Sequence, residues 1–125
     1  MTAEKAAWAV RLAATAQADY LDILRWTATQ FGQAQAHAYA ETLSTALMSL
    51  AAGPKVAGVR SRNDIAKGLF TLHVARRGRK GRHFVLFRIG SERGASVIDV
   101  LRLLHDAMDL ARHLPADERG QSDSG

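Results

Sequence analysis

Two histidines and two arginines carry the sharpest chemical possibility in this chain. His83 and His105 fall at the ends of two apolar runs, with Arg82 beside the first and Arg102 near the second. Imidazoles can serve as acid and base while guanidiniums stabilise a phosphate, which would equip a ribonuclease that uses no metal. A second cluster, Arg76-Arg77-Gly78-Arg79-Lys80-Gly81-Arg82, places five cations in seven residues. Such a cluster can grip phosphates or an acidic peptide. The same residues also make an ordinary solvated turn, since Gly78 and Gly81 supply turn geometry and no aromatic residue interleaves to stack on bases. An acidic protein segment is therefore favoured over RNA, and direct nucleic-acid binding is kept open.

Further along, Met108, Asp109, Arg112 and His113 form a mixed apolar and basic surface suited to a protein target. Asp106 and Asp109 stand three apart, as a helix cap and its first turn would place them. No GxSxG, P-loop or HExxH pattern occurs, and the glycines form no phosphate-binding loop after a strand. The chain has no cysteine, so thiolate metal sites and disulfides are excluded. No metal or cofactor is expected.

The elements that position these residues follow from periodicity. Residues 8–13 alternate as a short strand, with Trp8, Val10 and Leu12 on one face. From Thr15, read as a helix cap, the period becomes helical, with Ala16, Tyr20, Ile23, Leu24, Thr27 and Phe31 on one face and Trp26 at its edge. Gly32 ends that helix. A second runs from Gln33 with Ala36, Ala40, Leu43, Leu47 and Leu50 in its stripe until Gly53-Pro54 stops it. Residues 55–68 show no period and read as a connection. Strands follow at 69–75, 83–89 and 96–104, with loops at 76–82 and across Gly90-Ser-Glu-Arg-Gly-Ala95. Closing the last hairpin sets Arg88 opposite Asp99 and His83 near Leu104 or His105; an ion pair there contributes about 0.2 to 1 kcal/mol.

The predicted fold is thus α+β, in the order strand-helix-helix-strand-strand-strand, with a helical hairpin on a small, mostly antiparallel sheet. A short helix over 106–114 is expected to close a single domain spanning 1–115, before a polar, disordered tail at 116–125. With 125 residues, 47% of them apolar, the chain can bury a real core. Seventeen Lys and Arg against twelve Asp and Glu give a net charge of +5, which favours acidic partners. The N-terminus lacks the apolar core of a signal peptide and no apolar run approaches a membrane span, so a soluble, cytoplasmic protein is expected. Strands 84–89 and 97–104 are apolar on both faces while one helical hairpin covers only one. Phe84, Leu86 and Trp26 are accordingly expected to meet a partner.

Residues 83–115 also resemble the ParE-type toxins of the RelE/ParE superfamily. Their pattern Y-x-I-x-Y-R-V is met by His83, Val85, Phe87, Arg88 and Ile89. Their I-x-V-L-R-V-L-H is met by Ile98 and by Val100 to His105, and x-x-M-D-x-x-R-H-L by Met108, Asp109, Arg112, His113 and Leu114. The opening is similar too, through Val10-Arg11-Leu12, Ala16, Asp19 and Asp22-Ile23, with Tyr20 and Leu21 where the family has a simpler Leu. The likeness covers about residues 8–114. It implies the toxin of a type II toxin-antitoxin pair that inhibits DNA gyrase by binding and is neutralised by an antitoxin with an acidic segment. On that reading Met108, Asp109, Arg112 and His113 meet the target, while Trp26, Arg76, Arg77, Arg79, Lys80, Arg82, Phe84 and Leu86 meet the antitoxin. The alternative is a ribosome-dependent mRNA endonuclease of the RelE type, using His83, His105, Arg82 and Arg102. Such nucleases often carry a tyrosine near the chain end, whereas Tyr20 and Tyr39 lie in the helical hairpin.

Overall fold

A computed structural model describes residues 7–107. Strand β1 (Ala9–Leu12) leads into helices α1 (Ala14–Phe31) and α2 (Gln33–Ser49), which form a hairpin around Gly32. A 3-10 turn (Leu50–Ala52) ends α2, followed by β2 (Arg60–Ser61), β3 (Phe70–His73), β4 (His83–Glu92) and β5 (Ala95–His105). The sheet order is β1-β5-β4-β3-β2, antiparallel except for β1, which runs parallel to β5. The expected α+β order holds, with β2 as an added strand inside the segment read as a connection. Two residues bonded to Thr71 and Phe70 are too short to leave a period in the sequence. The helix expected over 106–114 and the tail at 116–125 lie outside the described residues.

The last hairpin is longer and tighter than its composition suggests. Glycines and polar residues at 90–95 predicted a loop, yet Gly90, Ser91 and Glu92 pair with Val97, Ser96 and Ala95. Only Arg93 and Gly94 turn, at φ 52° and 81°. Positive φ at both central residues matches the right-handed twist of the flanking strands. Arg88 does stand opposite Asp99, and His83 opposite His105. The Asp99 carboxylate takes the Arg11 Nε of β1 at 2.8 Å, so this charge also ties the edge strand down.

One irregularity lets β5 serve two cores. Pairing shifts by a residue between Leu86 and Phe87, leaving Leu101 as the extra residue of a bulge. Ile98, Val100 and Leu103 therefore join Leu43, Leu47 and Leu50 under the helices, together with Val85 and Phe87. Leu101 and Leu104 instead join Leu86 on the opposite face, beneath Ala66 and Leu69 with Ile65 against them. That second cluster corrects the expectation of a bare sheet face. The aperiodic stretch before β3 folds over it, so Leu86 is fully buried and presents nothing to a partner. Each such fully buried Leu or Phe contributes about 1.5 to 3 kcal/mol.

Helix α1 also completes the edge of β5 where β1 ends. The Ala13 N–H donates to the Val100 carbonyl at 2.9 Å. The Thr15 hydroxyl donates to the Leu101 carbonyl at 2.9 Å, and Asp19 accepts the Leu103 N–H at 2.9 Å. Thr15 is thus not a helix cap; Ala13 holds that position and the hydroxyl serves the sheet. Phe31, expected on the packed face, is instead 64% exposed, because α1 outruns the sheet beneath it.

Candidate protein-binding groove

Where the helical hairpin overhangs the sheet it leaves a groove of about 1100 Å³. Ile23, Trp26, Thr27 and Phe31 of α1, with Ala38 and Tyr39 of α2, form one side. Residues 79–82 of the β3–β4 loop form the other, and His83 and His105 close one end. Trp26 and Phe31 meet edge to face, with ring centroids 5.7 Å apart, and Trp26 is 58% exposed. Two large rings held in solvent on a helix face mark a surface built for contact.

Tyr39 organises the closed end. Its hydroxyl accepts the Arg82 N–H at 3.0 Å and donates to His83 Nδ1 at 2.7 Å. Burial, with His105 as the next cause, pushes the His83 imidazole down to about 4, which keeps it neutral and fits the accepting Nδ1. Burial likewise raises Tyr39. The His83 and His105 rings meet at right angles, 5.3 Å apart. Gly81 is required here, because a Cβ would lie 2.5 Å from Val74 Cγ2 and 2.9 Å from Tyr39 Oη.

The strand ends beside the groove are clamped by Asp106. Its N–H donates to the Arg82 carbonyl at 2.8 Å, and its carboxylate takes Arg82 Nη2 at 3.0 Å and His73 Nε2 at 2.9 Å. His73 Nδ1 accepts the Ala75 N–H, which leaves the proton on Nε2 for Asp106. The Arg82 and His73 hydrogen bonds hold the carboxyl down at about 2. This carboxylate therefore fixes where the chain leaves the sheet.

The sequence-predicted residues divide on this map. Trp26, Arg79, Lys80 and Arg82 line the groove, and His83 and His105 share its end. Arg76 reaches Ser49 Oγ at 3.3 Å, while Arg77 is exposed in the loop at φ 54°. Phe84 packs edge to face on His73 at 5.2 Å and is partly buried. Arg102 departs from the expected catalytic group, since Asp19 holds it through two bonds of 2.7 and 3.0 Å. Met108, Asp109, Arg112 and His113 lie outside the described residues.

Sequence reasoning missed Tyr39, Phe31 and the groove carboxylates of Asp22 and Glu41. Tyr39 follows Ala36 by one helical turn, and a tyrosine beside a packed stripe needs a partner for its hydroxyl. The neutral His83 has no proton to give at neutral pH beyond its Nε2, and its other nitrogen is engaged. Among the described residues no group of three or more His, Asp or Glu side chains is placed to hold a metal. No helix there is long and apolar enough to cross a membrane.

A helical hairpin laid on a small mixed sheet is a fold that this chain shares with a solved structure. A chain from the structure titled "Chromosomal ParDE TA system from P. aeruginosa" superposes with a TM-score of 0.61 at 20% identity. The match covers 78% of this chain and 95% of that one. The family model for the ParE toxin of the type II toxin-antitoxin system, parDE, matches residues 10–110, and the chain belongs to that family. No curated protein matches it in a sequence comparison.

Proposed function

We propose that this chain acts by binding DNA gyrase, without catalysis of its own, and is neutralised by an antitoxin that occupies the groove. The family match over residues 10–110 carries this reading. Met108, Asp109, Arg112 and His113 are the proposed target contacts. The proposed antitoxin contacts are Trp26, Arg76, Arg77, Arg79, Lys80, Arg82 and Phe84. Exposed aromatic rings beside a basic loop support a protein partner, because large aromatics and arginines dominate binding energy at interfaces. A gyrase-directed toxin works in the cytoplasm, which the absence of cysteine suits.

The test is direct. Purified chain is titrated into gyrase, ATP and relaxed plasmid, and supercoiling and trapped double-strand cleavage are measured. Inhibition or trapped cleavage is expected, with DNA breaks, filamentation and intact mRNA on induction in cells. No effect at large molar excess overturns gyrase as the target and turns attention to ribosome-bound mRNA, with His83 and His105 as the residues to replace.

A further inference from the structure

The β3–β4 loop holds its cations in place without cancelling their charge. Of the five in residues 76–82, Arg82 shares the Asp106 carboxylate, with Nη2 at 3.0 Å. Among the described residues no carboxylate pairs with Arg76, Arg77, Arg79 or Lys80. The nearby Glu41, next to Thr42 in α2, reaches His37 at 3.8 Å. Neutral oxygens position two of the arginines. Arg76 Nη1 donates to Ser49 Oγ and Arg79 Nη1 to Thr42 Oγ1, each at 3.3 Å. Both hydroxyls donate their own protons to carbonyls of α2, those of Ala46 and Ala38, so their oxygens are left to accept. Thr42 and Ser49 lie two helical turns apart on one face of α2, which sets these anchors about 10 Å apart along its axis. Between them the chain turns tightly. The Arg79 N–H donates to the Arg76 carbonyl at 3.0 Å, with Arg77 and Gly78 at φ 54° and 82°. Arg77 is exposed at this tip, and Lys80 is exposed just beyond it.

We propose that this loop grips the phosphate backbone of duplex DNA, with Arg76 and Arg79 as anchored contacts and Arg77 and Lys80 as adjustable ones. One strand of a duplex advances about 3.4 Å per phosphate, so anchors about 10 Å apart match phosphates about three steps apart. Guanidiniums suit the task, because their forked donors make paired hydrogen bonds to phosphate oxygens. A duplex is favoured over an unpaired strand, since no aromatic residue stands within 76–82 to stack on bases and phosphate contacts need none. The inference rests on the gyrase reading for the source of the DNA and deepens it: the surface engaged is gyrase together with the duplex it holds. It also supplies a means of neutralisation. An acidic antitoxin segment laid on the same loop takes the place of the phosphates.

Fluorescence anisotropy tests this with the intact chain and a labelled DNA duplex of about 20 base pairs, across about 20 to 200 mM potassium chloride. Binding is expected to weaken with a slope of about −3 to −4 in log K against log salt, as four phosphate contacts require. Arg77→Asn, which keeps a residue tolerant of positive φ, and Lys80→Gln are each expected to reduce that slope by about one and to weaken binding about three- to tenfold at the lowest salt. Lys67→Gln removes the same charge from the stretch that covers the other face of the sheet, and is expected to leave the slope unchanged. All three positions are exposed, so folding is not in question, and circular dichroism checks it. The DNA is expected to bind at least as tightly as an RNA duplex of the same length. Equal losses from Lys67→Gln assign binding to net charge and overturn the loop as the site. Tighter binding of the RNA overturns DNA as the source of the phosphates. Binding of poly-L-glutamate without binding of either duplex overturns nucleic acid as the partner. The assay holds no gyrase, so failure of this inference and failure of gyrase inhibition are read separately.

Discussion

The Tyr39 hydroxyl stands 2.7 Å from His83 Nδ1 and joins residues 44 positions apart. That bond crosses from α2 to the start of β4, and the same oxygen accepts the backbone of Arg82. One phenol therefore couples the helical wall of the groove to its basic loop. Tyr39→Phe keeps the ring and strands two polar groups, and is expected to cost about 1 to 3 kcal/mol. Urea denaturation measures it. A midpoint equal to that of the unaltered chain would show that water replaces the phenol without loss.

Acid should act in two windows. His83 titrates at about 4 in the fold against about 6.5 when unfolded, so the unfolded chain gains its proton first as pH falls. Stability is expected to decline from about pH 6.5 and to level near 4 for this group. Asp106 has the opposite chemistry and the same outcome. Its carboxyl is held at about 2 by Arg82 and His73, so its contribution is present above the ordinary value near 3.8 and is lost as pH falls toward 2. Thermal melts across pH 7 to 3 should show the first decline flattened in His83→Gln. An unchanged slope in that variant would assign the window to other groups.

Gly81→Ala is expected to destabilise the fold by about 1 to 3 kcal/mol, because its methyl meets both Val74 and Tyr39. Gly78→Ala in the same loop would meet no atom within 4 Å, although its φ of 82° makes some strain unavoidable. Comparing their melting temperatures separates close packing from backbone strain. A Gly81→Ala protein as stable as its parent would mean the loop moves away from Tyr39 at little cost.

Leu86→Ala should behave as a core truncation, costing about 2 to 5 kcal/mol in equilibrium unfolding. Lys80→Ala should leave stability within about 0.5 kcal/mol, as an exposed change does. The pair distinguishes a residue lost from the binding surface through burial from one that remains on it. Equal effects would contradict the cover that Ala66 and Leu69 place over Leu86.

Asp19→Asn removes the carboxylate that holds both Arg102 and the Leu103 N–H. A loss of about 1 to 3 kcal/mol is expected, since a part-buried guanidinium and a backbone N–H both lose the Asp19 carboxylate. Chemical denaturation gives the magnitude. No loss would show that the Asp19 carboxylate is dispensable to the junction of α1 and β5.

What the sequence made legible was whatever repeats. The helical stripe at Ala36, Leu43, Leu47 and Leu50 and the alternate residues Val85 and Phe87 report burial on one regular face, and burial is what those residues have. Residues 62–69 bury Ala66 and Leu69 through turns, whose spacing has no period, so the covered sheet face was invisible. Residues 90–95 failed for the converse reason. There the hairpin extends past the core, and its paired backbone carries exposed polar side chains that look like a loop. The groove was half legible. Its cations and Trp26 stand close together in the chain or at an expected edge, whereas Tyr39 and the two carboxylates acquire meaning only once α2 is laid beside the loop.

The parallel pairing of β1 with β5 also sets a schedule. Among the described residues the first strand's partner in the sheet is β5, so residues 9–12 have no strand to pair with until residues 97–100 exist. Synthesis from the N-terminus therefore delivers a helical hairpin well before the sheet that must support it. Closing so long a loop is entropically costly and comes late, which makes folding slow and ties it to the synthesis of β5. A ribosome that stops short of β5 releases a chain without the strand that joins β1 to the rest of the sheet, and a harmful activity that depends on this fold cannot begin before residues 97–100 have been made.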